Sequence, residues 1–421
     1  MTETWDAVVI GGGAAGFFGA IICAQKTVAP ARVLIVEKSR RVLNKVKISG
    51  GGRCNVTHHC FEPKAMATRH YPRGNKALIG PMYRFGVTET VQWFAERQME
   101  LKTEADGRMF PTTDDSQTVI NCLRKAADEA GIEVRTATGV RRIQRADQNA
   151  GSGFVLTLSE TRQITTDQVL IATGGTRLKS SASLPEELGH DLVPAVPSLF
   201  TFDVDDPRIE GLPGLSVDPV EVQIDGEDLD NDGPLLITHQ GFSGPAILKV
   251  SAWGARILHG LGYRFTLIVN WLPGEDVPAR LRSMRHEAGK RQVATRSPFE
   301  KIPNRLWRRL VEAAKVPDGC RWSSLPRQAR IGLVEQLTQA RFEVHAKSTF
   351  KEEFVTCGGV STDDVDMRTM ESRLHDGIFY AGEVLDIDGI TGGFNFQNAW
   401  TTGYLAGQAI ASNINGQSND G

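Results

Sequence analysis

The sequence has few of the features that mark disulfide-bonded, membrane-spanning or nucleic-acid-binding chains. Its six cysteines form no C-x-x-C pair, so we expect reduced thiols. The formal net charge of -2 favours neither a nucleic-acid partner nor an anionic membrane, because both normally require a basic face. The most apolar long stretch, residues 246–272, is interrupted by charged side chains. It therefore predicts a helix followed by a strand, and we expect no membrane partner.

Two further absences narrow the class of protein. The N-terminus lacks the basic region and apolar run of a signal peptide, which predicts a cytoplasmic location. No cluster of His, Cys, Asp and Glu has the spacing of metal ligands, so no metal site is predicted. The length of 421 residues predicts two or three domains, enough to bury a cofactor.

Glycine is in excess, with 43 residues concentrated in a few runs. The first run, Gly11–Gly16, has the spacing GxGxxG between an apolar strand at 5–10 and an apolar helix. Gly11 permits a tight turn, Gly13 lets the backbone approach a pyrophosphate, and Gly16 lets the helix and strand pack closely. The amides that open the helix, including those of Ala14 and Ala15, then face the phosphates.

An acidic residue follows at the spacing that a dinucleotide site requires. Glu37, followed by Lys38, ends the second predicted strand at 32–38. Its carboxylate can accept hydrogen bonds from ribose hydroxyls. The strand, glycines, helix and acid together predict dinucleotide binding. The alternative is a glycine-rich turn beside a surface glutamate.

A second run, KISGGGRCN at 47–55, favours FAD over NAD. Three successive glycines cost backbone entropy, and a flat ring lying against the main chain would explain them. Arg53 and Lys47 are available to phosphate or flavin oxygens, and Asn55 to a ring carbonyl. For Cys54 we favour a packing or flavin-edge role over redox chemistry. The predicted contacts of this run are Lys47, Ser49, Gly50, Gly51, Gly52, Arg53, Cys54 and Asn55.

A third run, residues 380–400, supplies a second half-site that NAD domains do not need. Its acidic side chains (Glu383, Asp386 and Asp388) are candidates for a ribityl hydroxyl. The amides at 393–395 would point at the N1/C2=O edge of the flavin, where a helix N-terminus stabilises negative charge. FAD is therefore the predicted cofactor. The remaining predicted contacts are Val140, Ala172, Thr173, Gly174, Gly382, Glu383, Asp388, Gly392, Gly393, Phe394 and Asn395.

These blocks resemble the bacterial FAD-dependent enzymes of the aminoacetone oxidase family, also described as BaiN-like. The match runs nearly from end to end and includes IGGGAAG, ISGGGRCNVT, GRMFPTT, THQGFSGPAIL and AGEVLDIDGITGGFNFQNAW. His58, Phe394 and Phe396 depart from the family pattern, so we expect the pocket over the flavin to differ.

The resemblance implies an α/β fold with a Rossmann-like FAD-binding domain built from both chain ends. A β-barrel-like domain that carries a helical insertion interrupts it. Changes in composition and periodicity along the sequence place the first part of the FAD domain at 1–191, the β-rich substrate domain at 192–274 and the helical insertion at 275–345. The β domain returns at 346–358, and 359–421 completes the FAD domain.

The predicted function is that of an FAD-dependent oxidoreductase acting on a small molecule, with hydride transfer to or from flavin N5. The resemblance implies oxidation of a small amine or reduction of an enone-like carbonyl compound. No second GxGxxG pairs with a strand and an acid. If NAD(P)H is the transient reductant, we therefore expect it to bind in the same crevice as the substrate, between the flavin and the β-rich domain. The oligomeric state is left open.

The catalytic residues are not predicted firmly. His239, in a Gly/Pro-rich loop, is a weak candidate for an acid or base, against a histidine hydrogen-bonded within its loop. Arg108 either binds a substrate carboxylate or anchors its loop through Asp106. The alternatives to an oxidoreductase are a non-catalytic flavin-binding sensor or scaffold, and a flavoprotein of RNA modification. The latter needs a basic groove, which the acidic balance disfavours.

Overall fold

The chain divides into two compact units in the computed structural model. The first comprises Met1–Val196 and Val355–Gly421, and the second Pro197–Phe354. The structure describes residues 3–146, 153–159, 161–177, 179–347 and 355–417. The predicted domain boundaries at 191 and 359 stay predictions. Part of the predicted return of the β domain, at 348–354, lies outside the described residues.

The chain contains both strands and helices along its whole described length. The strands are β1 (Glu3–Ile10), β2 (Val33–Val36), β3 (Thr57–His58), β4 (Leu101–Thr103), β5 (Arg108–Pro111), β6 (Glu133–Arg135), β7 (Val140–Arg145), β8 (Phe154–Leu158), β9 (Gln163–Ile171), β10 (Leu192–Ser198), β11 (Phe202–Asp203), β12 (Ser216–Ile224), β13 (Asp230–Ile237), β14 (Gly241–Ser243), β15 (Phe265–Asn270), β16 (Ala340–Val344), β17 (Ala346–Lys347), β18 (Val355–Val360), β19 (Val365–Asp366), β20 (Glu371–Ser372) and β21 (Ile378–Tyr380). The helices are α1 (Ala14–Lys26), α2 (Asn44–Gly52), α3 (Pro63–His70), α4 (Asn75–Arg84), α5 (Val87–Ala95), α6 (Ser116–Glu129), α7 (Lys179–Glu187), α8 (Pro245–Trp253), α9 (Ala255–Gly260), α10 (Val277–Glu287), α11 (Asn304–Ala313), α12 (Arg327–Thr338) and α13 (Phe394–Gln417).

The first unit is built on a largely parallel sheet. Its strand order is β19-β20-β21-β9-β1-β2-β6, and β21, β9, β1, β2 and β6 run parallel. All four residues of β2 are buried, as expected of a strand covered on both faces. The predicted β1–α1–β2 unit and the meander of β7 and β8 that returns the chain to β9 are confirmed.

Small residues let the two ends of the chain meet. Helix α13 lies against α1, and the contact is so close that side chains have no room at Gly403 and Gly407. A Cβ added to Gly407 would lie 2.3 Å from the Gly19 carbonyl oxygen, and one added to Gly403 would lie 2.8 Å from that of Ala15. The C-terminal helix is thus held against the helix that follows the first glycine motif.

The second unit combines an antiparallel sheet with helices. Its strand order is β16-β15-β12-β13-β14-β11-β17. Its core includes the fully buried rings of Phe242, Trp271, Trp307 and Phe342. Helices α10–α12 fall in the region 275–345 that was predicted to be helical. In the part of the chain that the structure describes, no helix has the length and apolarity needed to span a membrane.

Candidate cofactor site

The first glycine motif forms the turn between β1 and α1. A Cβ at Gly11 would lie 2.3 Å from the Ala172 carbonyl oxygen, and one at Gly16 would lie 2.0 Å from that of Gly11. Both positions therefore require glycine for packing. A Cβ at Gly13, by contrast, would meet nothing within 4 Å. Gly13 is the N-cap of α1 and no side chain of the described residues caps this helix. Open space thus lies in front of helix amides that an anion could occupy.

Glu37 lies beside this turn. One carboxylate oxygen accepts a hydrogen bond from the Gly12 amide at 2.7 Å, and the other accepts one from the Ser39 amide at 2.8 Å. A carboxylate has about four acceptor positions, so each oxygen keeps capacity for a ribose hydroxyl. The Thr138 amide donates to the Glu37 carbonyl oxygen at 2.8 Å, which places the start of β7, at Val140, next to the Glu37–Lys38 segment.

The segment Ala172–Gly174 follows β9 and borders the same turn. The Ala172 amide donates to the Ile10 carbonyl oxygen at 2.9 Å. The hydroxyl of Thr173 is buried without a hydrogen-bond partner in the described residues. Gly174 has a φ of +77°, and a Cβ there would meet nothing within 4 Å. A buried hydroxyl beside open space is the arrangement expected where a polar ligand is to be bound.

The residues KISGGGRCN form the end of α2 and a left-handed turn. Gly50, Gly51 and Gly52 have φ values of +58°, +69° and +87°. Left-handed backbone costs roughly 1–2 kcal/mol for each residue other than glycine. The run of three glycines is therefore required by the backbone itself, beside any contact with a flat ring. A Cβ at Gly51 or Gly52 would meet nothing within 4 Å.

Two side chains and one backbone carbonyl of this run contact other parts of the protein. Arg53 pairs with Glu104 at 2.5 Å and lies over the Phe110 ring at 4.0 Å, so its guanidinium is already engaged. Lys47 is exposed, and its carbonyl oxygen accepts from Ser116 at 2.8 Å. The Ser49 hydroxyl donates to the Val46 carbonyl oxygen at 2.9 Å. These contacts hold the turn, and the cofactor contacts expected for Lys47, Ser49 and Arg53 stay predictions.

Cys54 and Asn55 end the turn in the interior. Cys54 is fully buried, and burial raises the pKa of its thiol to about 12. A thiol with so high a pKa is protonated at neutral pH, which agrees with the predicted packing role and not with redox chemistry. The side-chain oxygen of Asn55 is buried without a hydrogen-bond partner in the described residues.

The C-terminal run, residues 380–400, lies against both earlier glycine runs. A Cβ on Gly382 would lie 2.8 Å from the Ala15 side chain, and one on Gly393 would lie 2.8 Å from the side-chain oxygen of Asn55. The Nδ1–H of His58 donates to the Gly392 carbonyl oxygen at 3.0 Å. The structure therefore brings together the turn at Gly11–Gly16, the turn at Gly50–Asn55 and the loop before α13, although they lie far apart in the sequence.

The acidic side chains of this loop are used within the protein. Asp388 is fully buried, and both of its oxygens accept from Arg73, one of them from Nε at 2.6 Å. Glu383 accepts from the Thr356 amide at 2.9 Å and pairs with Lys45. Asp388 thus forms an internal ion pair with Arg73, and its expected ribityl contact stays a prediction. Nothing in the sequence links Arg73 or Lys45 to acids more than 300 residues away.

Asn395 and Phe394 also have internal partners. The Asn395 amide group exchanges two hydrogen bonds with the backbone of Gly389, at 2.9 and 2.8 Å. The Phe394 ring stacks on His70 with ring centroids 4.2 Å apart. The side chains of this segment thus shape the loop, and a contact of the backbone amides at 393–395 with a ligand stays a prediction.

An aromatic cluster at the start of α13 was not expected from the sequence. The rings of His58 and Phe394 lie 4.6 Å apart, and Tyr71 donates to the Phe394 carbonyl oxygen at 2.5 Å. Burial is the main cause of the lowered pKa of His58. From the sequence, His58 is only a departure from a family pattern and Phe394 is also a predicted cofactor contact; their proximity to Tyr71 depends on the fold.

The sequence offers two weaker catalytic candidates, His239 and Arg108. His239 lies in the second unit, on a groove of about 290 Å³ that is also lined by Thr238, Asp205 and Glu210. Arg108 donates to Asp106 at 2.6 Å and to Glu104 at 3.1 Å, so it anchors its own loop. In the described ranges, no group of three or more His, Cys, Asp or Glu could hold a metal ion.

The first unit fits an extended dinucleotide by two independent observations. Glycines facing open space lie at three separated segments, at Gly13, Gly51–Gly52 and Gly174. Buried polar atoms without partners in the described residues, at Thr173 and Asn55, occur in or beside these same segments. A ligand with phosphates and ring carbonyls can supply what these groups lack.

Comparison with known proteins places the chain in a family. The model of the HI0933-like protein Rossmann domain matches residues 5–409. The chain is 28% identical over 413 residues to a 3-dehydro-bile acid delta(4,6)-reductase of Clostridium scindens, covering 96% of this chain and 98% of that protein. It is 28% identical over 418 residues to a ribosomal RNA dihydrouridine synthase of Escherichia coli, covering 97% and 98%.

A solved structure shows a similar fold at low identity. The 3-ketosteroid delta1-dehydrogenase of Sterolibacterium denitrificans matches with a TM-score of 0.53 and 12% identity over 98% of this chain and 100% of that chain. This likeness supports the predicted α/β Rossmann-type fold. Because the family model spans most of the sequence, the chain belongs to the HI0933-like family, and the predicted resemblance and class, an FAD-dependent oxidoreductase, are confirmed.

Proposed function

We propose that the protein reduces a carbon–carbon double bond conjugated to a carbonyl group. The observation that carries this proposal is the chemistry shared by two relatives with different substrates. One is named for reducing a 3-dehydro bile acid at its delta(4,6) double bonds, and the other for forming dihydrouridine, a uridine whose ring double bond is reduced. Both reactions add hydrogen across an activated C=C bond.

FAD is the cofactor in this proposal, and the first unit provides the groups to hold it. The amides that open α1 at Gly13–Gly16 would bind the pyrophosphate, since helix N-termini bind anions. Glu37 would accept from the adenosine ribose. The flavin end would lie near Thr173, the turn at Gly50–Asn55 and the amides that open α13. The open glycines and the buried atoms without partners at these places support the assignment.

The flavin supplies hydride transfer when it is bound, and the protein orients and tunes it. Amides at the start of α13 present partial positive charge, which favours an anionic ring edge at that point. The neutral thiol of Cys54 adds no competing charge, because burial raises its pKa to about 12. The charges of Asp388 and Arg73 neutralise each other close by.

The test is anaerobic and follows the visible flavin bands. The purified protein should be yellow and should release FAD on denaturation. After reduction with NADH, NADPH or light, the protein is mixed with a 3-oxo-4,6-diene steroid, with a uridine-containing RNA, or with buffer. Reoxidation by either unsaturated compound, with formation of the saturated product, is the expected result.

A matched experiment addresses the amine oxidation that the family resemblance also implies. Oxidised protein is mixed anaerobically with aminoacetone. If the amine bleaches the flavin while neither unsaturated compound reoxidises the reduced protein, the proposed direction of hydride transfer is wrong. The NADH and NADPH arms also identify the reductant, which the sequence left open.

A further inference from the structure

The charge of the second unit is strongly divided along the chain. Residues 275–345 contain fifteen Lys and Arg and eight Asp and Glu, a formal charge of +7. The preceding residues 192–274 contain four Lys and Arg and eleven Asp and Glu, a formal charge of -7. The net charge of the whole chain, -2, therefore conceals a basic helical region.

Part of this charge is concentrated where two loops meet. Arg285 lies in the last turn of α10, Lys290 and Arg291 follow it, and Arg321 precedes the short helix at 322–324. We call these four residues the basic edge. All four are exposed. A backbone bridge pairs Gln292 with Arg321, so the loops that carry them are adjacent.

Buried aromatic residues hold the two loops in place. The Trp322 amide donates to the Arg291 carbonyl oxygen at 3.1 Å, and the Val293 amide donates to that of Cys320 at 2.9 Å. Trp322 and Val293 are buried, and Trp307 donates its ring N–H to the Val293 carbonyl oxygen at 2.8 Å. The backbone of the basic edge is thus ordered before any partner binds.

Internal electrostatics explain only a small part of the basic edge. The charge of Arg285, in the last turn of α10, interacts favourably with the helix dipole. Lys290, Arg291 and Arg321 lie outside the α-helices and gain no such stabilisation. Glu287, the acid nearest in sequence to Arg285, pairs with Arg280 at 2.7 Å. In the described part of the chain, no ion pair with an acid within 4 Å is found for the four residues of the basic edge.

We propose that the basic edge binds the phosphate backbone of a structured RNA. Clustered exposed Lys and Arg attract phosphates by charge, with release of counterions.

An anionic membrane fits less well, because surface-binding segments insert apolar side chains. Within the described residues, no exposed large hydrophobic side chain lies between 277 and 325. Two relatives are named as ribosomal RNA dihydrouridine synthases. This binding goes beyond the proposed reduction and does not depend on it.

The experiment compares two triple variants of the full-length protein with bound FAD. The first is Arg285→Gln, Arg291→Gln and Arg321→Gln. The control is Lys64→Gln, Arg124→Gln and Arg142→Gln, which removes the same charge from exposed residues of the first unit. Binding of a fluorescent RNA hairpin is measured by anisotropy at several salt concentrations. The flavin spectrum and its reduction by a chemical donor are recorded for each protein.

The wild type and the control should bind the hairpin with a steep salt dependence. The basic-edge variant should bind at least about tenfold more weakly at low salt, and its log–log salt slope should fall by about 2 to 3, since each phosphate contact contributes about 0.7 to 0.9. Flavin content and reduction should stay unchanged in both variants. RNA binding is thereby scored separately from the reduction reaction.

Three results would overturn the proposal. In the first, the wild type does not bind the RNA hairpin at low salt. In the second, both triple variants lose the same affinity for RNA, which indicates that binding depends on the total charge of the protein and not on the basic edge. In the third, phosphatidylserine vesicles, and not RNA, bind in a manner that depends on the basic edge, which assigns the surface to a membrane. A folded variant is verified by its flavin spectrum in each case.

Discussion

The turn at Gly11–Gly16 and the loop at 382–395 both border the candidate cofactor site, but they use their residues differently. In the first, backbone amides and the Glu37 carboxylate keep capacity for a ligand. In the second, the acidic and amide side chains named from the sequence bind other parts of the protein. Glycine spacing thus indicates a ligand-facing backbone, whereas a polar side chain in a loop indicates only that it has some partner.

The largest effect expected concerns the C-terminal loop. Asp388→Ala leaves the Arg73 guanidinium, whose side chain is 15% exposed, without its carboxylate. Removing one partner of a buried ion pair costs about 3–5 kcal/mol of unfolding free energy. Urea unfolding of the protein measures this. The control is Asp366→Ala at the exposed Arg368, where a loss of at most about 1 kcal/mol is expected.

If Asp388→Ala lowers the free energy of unfolding as little as Asp366→Ala does, the ion pair of Asp388 with Arg73 does not stabilise the interior of the protein. A normal stability with a lost flavin spectrum would instead restore Asp388 as a cofactor contact.

The next effect separates packing from binding within the first turn. Gly16→Ala places a Cβ against the Gly11 carbonyl oxygen, and overpacking typically costs about 1–3 kcal/mol. Gly13→Ala meets nothing within 4 Å, so the protein without FAD should keep its stability. Its FAD affinity should fall, because the methyl group would occupy space proposed for the pyrophosphate. Urea unfolding and FAD titration are measured on both variants. Equal FAD affinity of Gly13→Ala and wild type would contradict the assignment.

A smaller effect is expected at the ribose end. Glu37→Ala removes a charged acceptor, and hydrogen bonds to charged groups contribute about 1.5–3 kcal/mol. FAD affinity should therefore fall by about tenfold or more, as measured by fluorescence titration. Glu37→Gln keeps one acceptor oxygen and should lose less. Unchanged affinity in both variants would show that the carboxylate serves only the Gly12 and Ser39 amides.

The smallest effect is expected at Cys54. Because burial raises the pKa of this thiol to about 12, it stays protonated and unreactive through neutral and mildly alkaline pH, and forms thiolate only as the pH approaches that value. Cys54→Ala should keep the flavin reduction rate within about twofold. Mass spectrometry after iodoacetamide treatment at pH 7–9 should find Cys54 unmodified in the native protein. Rapid alkylation with loss of activity would return the residue to redox chemistry.

Much of the fold and part of the site could be predicted from the sequence for identifiable physical reasons. The β1–α1–β2 unit and Glu37 are encoded locally, so apolar periodicity and glycine spacing sufficed. The partners of Arg53, Glu383 and Asp388 are distant in sequence and could not be read from spacing. The run at Gly50–Gly52 was noticed, but its left-handed backbone follows from angles that only coordinates provide.

For the net charge, the sequence held information that the prediction did not use. The total of -2 was used to argue against an RNA partner, yet it averages a basic helical region with an acidic β region. Charge counted over each predicted domain would have revealed the division without any structure. The lining of the groove around His239 and the aromatic cluster at Phe394, by contrast, depend on packing between distant elements.

The close fit of α13 against the glycine face of α1 bears on how the polypeptide is made. At the ribosome, α1 is synthesised before the second unit, whereas α13, the helix that packs against it, follows that unit in the chain. The second unit is continuous in the chain and emerges complete before that helix is translated. The first unit can therefore close only after the second unit and α13 have been synthesised, and a chain truncated before α13 leaves an uncovered apolar helix.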